Sequence, residues 1–275
     1  MGFDFANVLF SGPCNRFCPF CIGKQLPSVV NENNLDRYPL KNQAEFVRLV
    51  NDHQIRDVIF TGTISDPQLY RHEGRLLAEF RSGMHSGARF SVHTNGVRAL
   101  DRMEIFNQYD RACISFPSFE PDTYAKLMGS RVVPDLAAIM ARAQIPVKVS
   151  CILNQHNISE LESFLERCQA IGVRRLVLRR LFGEDFPWAM LSEHEPVADF
   201  RGNPVYDWNG MEVTDWNFDV AGLQSINLFP DGTIGHEYLL TRNFDAHGRP
   251  AIVGGGPRPV SARPGLRADL IPRWP

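Results

Sequence analysis

The chain has 275 residues, of which 44% are hydrophobic and 22% are charged, which leaves ample apolar side chains for one large domain or two ordinary ones. The formal net charge of -2 argues against a protein dedicated to binding polyanions such as nucleic acids. The sequence contains neither an apolar run of about 18 residues nor a signal-peptide pattern, so we expect no membrane span. Its six cysteines are not spread as in a disulfide framework, so we expect a reducing, cytoplasmic location.

Short apolar runs alternate with helical patterns through the first two thirds of the chain. Strands are predicted at residues 7–11, 57–61, 88–93, 112–116, 147–153 and 175–181. Helices are predicted at residues 43–51, 76–84, 100–109, 121–128, 136–143 and 159–171. This alternation is typical of a parallel sheet covered by helices. Six units are too few for a closed eight-fold barrel, so we predict an α/β fold with a partial (β/α)6 barrel, although an open doubly wound sheet fits the same pattern.

The pattern changes after residue 181. Residues 182–222 show few helical patterns, whereas residues 225–229, a Pro230-Asp231-Gly232 turn and the residues after it predict a β-hairpin. We therefore expect a barrel at residues 1–181, a C-terminal extension at residues 182–245 that closes one side of it, and a flexible tail at residues 246–275 that is rich in Gly, Pro and Arg.

Three of the six cysteines lie within eight residues, directly after the first predicted strand. Cys14, Cys18 and Cys21 have the spacing Cys-x3-Cys-x2-Cys, and thiolates at this spacing suit an iron–sulfur cluster. Three ligands leave one iron of a [4Fe–4S] cluster open to another ligand. A zinc site and inert thiols are the alternatives, but structural zinc takes four ligands and the nearest candidates, His53 and His72, lie in other elements. The remaining cysteines, in predicted strands and a helix, fit core positions.

This cysteine loop resembles that of the radical S-adenosylmethionine (SAM) superfamily, and the resemblance extends over residues 7–181. It implies a six-unit partial barrel, with SAM bound through its amino and carboxylate groups to the open iron. It further implies that an electron from the reduced cluster cleaves SAM to a 5′-deoxyadenosyl radical, which abstracts hydrogen from a substrate.

The resemblance also implies a set of SAM-binding residues at successive strand ends. Phe20 takes the place of an aromatic residue near the adenine. Residues 61–67 stand where the family has a Gly-Gly-Glu-Pro-like segment that binds the methionine amino group of SAM, but they lack its glutamate. Asp66 or the threonine hydroxyls would then bind this amino group. Thr-Asn-Gly ends the third strand, although this is also a common turn. The residues expected to bind the cofactor are Phe20, Thr61, Gly62, Thr63, Asp66, His93, Thr94, Asn95, Ser115, Ser118 and Arg179, with Arg180 beside the last.

The prediction is thus a radical SAM enzyme with one [4Fe–4S] cluster that acts on a small molecule of a biosynthetic or cofactor pathway. Its partners would be that substrate and an electron donor such as flavodoxin or ferredoxin, with no nucleic acid and no membrane. Three alternatives stay open: modification of a peptide or of a nucleotide or RNA, an iron–sulfur module without turnover, and a zinc-stabilised nucleic-acid binder. The sequence assigns no hydrogen donor or catalytic base.

Overall fold

The computed structural model describes residues 2–26, 28–181, 191 and 193–236. One sheet runs through them in the order β11-β10-β1-β2-β3-β4-β5-β6-β9-β8-β7. In this order, each strand from β10 to β9 runs parallel to the next one. The strands are β1 Phe5–Phe10, β2 Asp57–Gly62, β3 Arg89–Thr94, β4 Arg111–Ser115, β5 Val147–Ile152, β6 Arg175–Arg179, β7 Ala198–Phe200, β8 Asn203–Trp208, β9 Met211–Trp216, β10 Ser225–Leu228 and β11 Ile234–Gly235.

This sheet is the predicted partial barrel. All six predicted strands are confirmed, with ends displaced by up to two residues, and the predicted hairpin is the antiparallel pair β10–β11. The prediction missed β7, β8 and β9, and it missed that β9 and β10 extend the parallel sheet beside β6 and β1. Because the strand order ends at β11 and β7, the sheet of the described residues stays open. The predicted tail at residues 246–275 lies outside the described residues, as do residues 182–190.

Helices follow most of the barrel strands. The predicted helix at residues 100–109 is wrong in length, because the structure has only the four-residue α3 there. In contrast, α4 matches its predicted bounds, since Pro121 starts it and Gly129 ends it with a φ of 68°. The helices are α1 Gln43–Asp52, α2 Glu73–Gly83, α3 Met103–Phe106, α4 Pro121–Met128, α5 Leu136–Arg142, α6 Leu161–Ala170 and α7 Phe218–Ala221.

An aromatic core joins the helices to the outer face of the sheet. Phe46 of α1 and Phe80 of α2 pack with ring centroids 5.9 Å apart, and Phe60 of β2 lies 5.8 Å from Phe80. All three side chains are fully buried, and each such burial stabilises the fold by roughly 1.5–3 kcal/mol. None of the helices in the described ranges is long and apolar enough to cross a membrane.

Candidate functional site

A cavity of about 670 Å³ opens at the carboxyl ends of the barrel strands. In parallel α/β barrels this is the end at which functional side chains gather. The cysteine loop after β1 forms part of its wall. The other walls come from residues at or after the ends of β2 to β6, and from Phe218 of α7.

The three clustered cysteines line this cavity together. The Cys21 thiol lies 3.2 Å from the carbonyl oxygen of Thr63, after β2. The Cys18 sulfur lies 3.7 Å from the Met128 sulfur at the end of α4. The loop therefore bridges two different elements, and its sulfurs face one common space.

Arg16, inside the cysteine motif, fixes the shape of the loop. Its side chain is buried, and it donates hydrogen bonds of 2.7 Å to the carbonyl oxygens of Asn15 and Val132. The backbone N–H of Phe17 donates to the Met128 carbonyl at 3.0 Å. A Cβ atom at Gly129 would lie 2.7 Å from the Phe17 carbonyl oxygen, so the glycine that ends α4 also permits this close contact.

The electrostatics of the thiols favour a positively charged ligand. Burial, together with the nearby Cys21 and Cys14 thiols, raises the pKa of Cys18 to about 11. Burial likewise raises the pKa of Cys14. Three such thiolates need metal ions to offset their crowding, and soft sulfur ligands suit iron in a cluster.

In the described part of the chain, no group of three or more His, Cys, Asp or Glu side chains could hold a single metal ion. The ligands of one zinc ion all converge on the same atom. In a cubane each thiolate binds a different iron, so its cysteines stand farther apart around a shared cavity. Cys14, Cys18 and Cys21 are soft sulfur donors that line one cavity, and this donor set fits an iron–sulfur cluster.

The segment after β2 is folded tightly against the cysteine loop. The Ser65 hydroxyl donates to the Pro13 carbonyl at 3.0 Å, and the Thr63 N–H donates to the Phe10 carbonyl at 2.8 Å. A Cβ atom at Gly62 would lie only 1.5 Å from the Ser65 carbonyl oxygen. Gly62 is therefore required for the backbone turn itself, whatever it contacts in the cavity.

The carboxylate of Asp66 is buried and makes several internal hydrogen bonds. It accepts from the Asn95 N–H at 2.7 Å, from the Gln68 N–H at 3.0 Å and from the Thr94 hydroxyl at 3.0 Å. Burial raises the pKa of Asp66, whereas these donors lower it. The structure thus places Asp66 at the cavity wall as the group that ties the segment after β2 to the end of β3.

Other predicted residues line the same cavity. Phe20, Thr61, His93 and Ser115 all contribute to its wall. Asn95 also donates from its side-chain amide to the Asn15 oxygen at 2.8 Å, which ties the end of β3 to the cysteine loop.

Arg179 and Ser118 have different surroundings. Arg179 lines the cavity, and its buried Nε has no hydrogen-bond partner within the described residues. Its guanidinium lies 5.5 Å from the centroid of the Phe218 ring. Ser118 is fully buried outside the lining residues and donates to the Glu160 carboxylate at 2.6 Å. The structure therefore brings the predicted residues together at one cavity except Ser118.

Several lining residues were not among those predicted from the sequence. Arg16 could have been found, because it lies between two of the cysteines. Ser150 of β5 and Phe218 of α7 also line the cavity. No sequence pattern marks Phe218 as a site residue, because only the pairing of β9 with β6 brings it to the cavity.

Comparison with known proteins agrees with this geometry. The family model described as the radical SAM superfamily matches residues 8–168, more than half of the chain. The chain belongs to the radical SAM superfamily. The family uses a [4Fe–4S] cluster and SAM. No curated protein matches the sequence.

Solved structures of Streptococcus suis SuiB share the fold. SuiB bound to its precursor peptide SuiA aligns with a TM-score of 0.53 at 16% identity, covering 73% of this chain and 44% of SuiB. SuiB bound to SAM aligns with a TM-score of 0.51 at 14% identity, covering 70% of this chain and 43% of SuiB. The chain therefore spans less than half the length of these radical SAM relatives, and the likeness extends to the fold alone.

Proposed function

We propose that this protein is a radical SAM enzyme, of oxidoreductase type, that takes hydrogen from a small-molecule substrate. The observation that carries the proposal is the convergence of Cys14, Cys18 and Cys21 on one cavity with the polar ends of the barrel strands. When bound, the reduced cluster supplies one electron that breaks a C–S bond of SAM, releasing methionine and the 5′-deoxyadenosyl radical that removes the hydrogen.

The chain's own residues would hold and orient the reactants. The three cysteines would bind three irons of the cluster and leave the fourth for SAM. Polar groups at the ends of β2, β3 and β4 line the same cavity as the cysteines and would contact SAM there, and Arg179 lines this cavity as well. Phe20 contributes an apolar face for the adenine, as the family resemblance implies. Fixing the reacting atoms in this way lowers the entropic part of the barrier.

The shape of the cavity supports a small substrate. The space runs from the cysteines into the barrel interior, where Ile152 and Phe218 contribute apolar walls. A reactive radical is best protected in such an interior. A substrate that fits a volume of about 670 Å³ beside SAM is a metabolite or one short side chain.

A peptide is the second candidate substrate. Its support is SuiB, which has been solved with a precursor peptide bound. Because this chain covers only 44% of SuiB, the likeness does not decide between the two substrate classes.

The proposal includes a cytoplasmic location and a small redox protein such as flavodoxin or ferredoxin as the electron donor. The cysteine thiols line a cavity whose rim includes the exposed Phe17, with 74% of its surface accessible, so the cluster would lie within electron-transfer reach of the protein surface.

Anaerobic reconstitution tests the proposal. The chain should take up about four irons, and reduction with SAM present should release 5′-deoxyadenosine. Cys18→Ala should abolish that release. Cys168→Ala is the matched control, because Cys168 is buried in α6 away from the cavity, and it should retain the activity. Zinc in place of iron, or full activity of Cys18→Ala, would refute the proposal.

Iron uptake without 5′-deoxyadenosine, under strong reductant and with metabolite and peptide substrates present, would identify a non-catalytic module instead.

A further inference from the structure

A second cavity, of about 380 Å³, continues the first toward the amino ends of the strands. Among the described residues, the two spaces share the lining residues Ile22, Thr61, Gly62, His93, Arg179 and Phe218. The barrel interior is therefore accessible from the cysteine loop down to the base of the sheet.

Titratable side chains form a row around this interior. His93 of β3 lies in register with Cys113 of β4, Cys113 with Lys148 of β5, Lys148 with Arg175 of β6, and Arg175 with Glu212 of β9. Register neighbours on adjacent strands face the same side of a sheet. Branched apolar residues usually fill the inside of a small barrel, so such a polar row indicates a ligand site.

The acidic side chains of the lower cavity are concentrated at its base. Asp57 pairs with Arg111 at 2.7 Å, and Glu212 pairs with Arg175 at 2.7 Å. Asp4 pairs with Arg201 at the open rim. Asp199, also at that rim, is exposed to solvent and accepts a hydrogen bond from the Gly202 N–H. These contacts hold the acids near the amino ends of the strands.

Cations prevail above the base. Lys148 and Arg179 line the interior between the base and the cysteine loop, and each retains a partly accessible surface that faces a cavity. Burial lowers the pKa of Lys148, the neighbouring Cys113 thiol raises it, and the charges of Arg179, Arg175 and Arg111 lower it. Burial also lowers the pKa of His93 well below its usual value, with Lys148, Arg179 and Arg111 adding to the effect. Between the carboxylates at the base and the cysteine loop, the charged side chains of the described lining are thus the cations Lys148 and Arg179.

We propose that the substrate carries an anionic oxygen group, a carboxylate or a phosphate, which binds inside the barrel against Lys148, His93 and Arg179. This inference rests on the proposed function and specifies its substrate class. An anion there offsets the repulsion among the cations and accepts charge-assisted hydrogen bonds. It also fixes one end of the substrate, so that the other end is held toward the cluster and SAM.

Lysine NMR on the holoenzyme tests the proposal. The chain has only four lysines, Lys24, Lys41, Lys126 and Lys148, so ¹³Cε-lysine labelling gives a simple spectrum, with Lys148 assigned from Lys148→Arg. With SAM bound, malonate or inorganic phosphate should shift the Lys148 resonance and leave the other three in place. Malonamide, the uncharged analogue of malonate, should not shift it.

The relative affinities of malonate and phosphate identify the preferred group. Lys148→Met should weaken anion binding at least tenfold, Lys148→Arg by less, and Lys126→Met should bind as wild type does. An unmoved Lys148 resonance, an equal shift with malonamide, or loss of the shift when SAM is added would overturn the proposal. The titration of wild-type protein needs no turnover, so it is independent of whether 5′-deoxyadenosine forms.

Discussion

The buried carboxylate of Asp66 accepts a hydrogen bond of 2.7 Å from the backbone N–H of Asn95, at the end of the neighbouring strand. The Thr94 hydroxyl donates to the same carboxylate at 3.0 Å. The sequence resemblance places a SAM-binding glutamate in this segment. Because the oxygens of Asp66 are engaged by the protein, we infer that Asp66 acts mainly as a positioning residue for the Thr-Asn-Gly strand end.

Asp66→Asn tests this role. The substitution replaces one acceptor oxygen by an NH₂ group that faces backbone donors, so we expect a loss of about 1–3 kcal/mol in stability. SAM affinity should fall about tenfold, a loss of about 1.4 kcal/mol, because the strand ends lose their alignment. Equilibrium binding of SAM to reconstituted protein measures the effect. Asp101→Asn, at an exposed surface position, is the control. Unchanged SAM affinity in Asp66→Asn would contradict the positioning role.

Gly62→Ala should be one of the most damaging small substitutions in the chain. The added Cβ would lie 1.5 Å from the Ser65 carbonyl oxygen, so the backbone after β2 must move. We expect a loss of stability of about 3 kcal/mol and loss of SAM binding. Gly83→Ala is the matched control, since its Cβ would meet only Val47 at 3.6 Å and alanine favours the helix. Thermal unfolding of both variants measures the loss of stability. A stable Gly62→Ala variant that binds SAM would disprove the steric argument.

Arg16→Lys should loosen the cysteine loop while keeping the charge. Lysine cannot reproduce the two bonds of 2.7 Å that the guanidinium donates to the Asn15 and Val132 carbonyls. We expect faster loss of iron to a chelator, measured as the decay of the cluster absorbance. Arg98→Lys, at an exposed ion pair, is the control. Equal rates of iron loss in wild type and Arg16→Lys would show that the loop does not depend on this anchor.

The gathering of the three cysteines at one cavity and the six barrel strands could be predicted because their signals are local. Cysteine spacing, apolar runs and the Pro121 and Gly129 boundaries of α4 all lie within a few residues of what they determine. The positions of β9 and β10 could not be predicted in this way. For example, Asn7 of β1 donates to Asn227 of β10 at 2.6 Å across 220 positions of sequence, and no local pattern encodes that pairing.

The same limit applies to single residues. Ser118 follows a barrel strand, as a SAM-binding serine would, yet the structure pairs it with Glu160 next to α6. Lys148 reads as an ordinary strand residue, and only the register of β3, β4 and β5 shows that it shares the barrel interior with His93. Which charged side chains share the interior of a barrel depends on how its strands pair, and a local sequence pattern does not show that pairing.

Glu73 should make stability depend on pH. It is fully buried in α2, where Arg102 donates to it at 2.8 Å and Tyr109 at 3.0 Å, and burial raises its pKa to about 7. The folded state therefore binds the proton more tightly than the unfolded state, whose glutamate titrates near pH 4.3. Stability should fall as pH rises from about 4.5 to about 7 and then level off.

Glu73→Gln removes this titration. Thermal unfolding of reconstituted wild type and Glu73→Gln at pH 5.5, 6.5, 7.5 and 8.5 measures the difference in stability between the two proteins. Any acid sensitivity of the cluster affects both proteins equally and cancels in this difference. Relative to wild type, the variant should gain stability from pH 5.5 to 7.5, by at most about 3 kcal/mol, and no more above that. Glu104→Gln, at an exposed position of α3, should run parallel to wild type. A pH-independent difference between Glu73→Gln and wild type would mean that the ion pair with Arg102 keeps Glu73 ionised throughout.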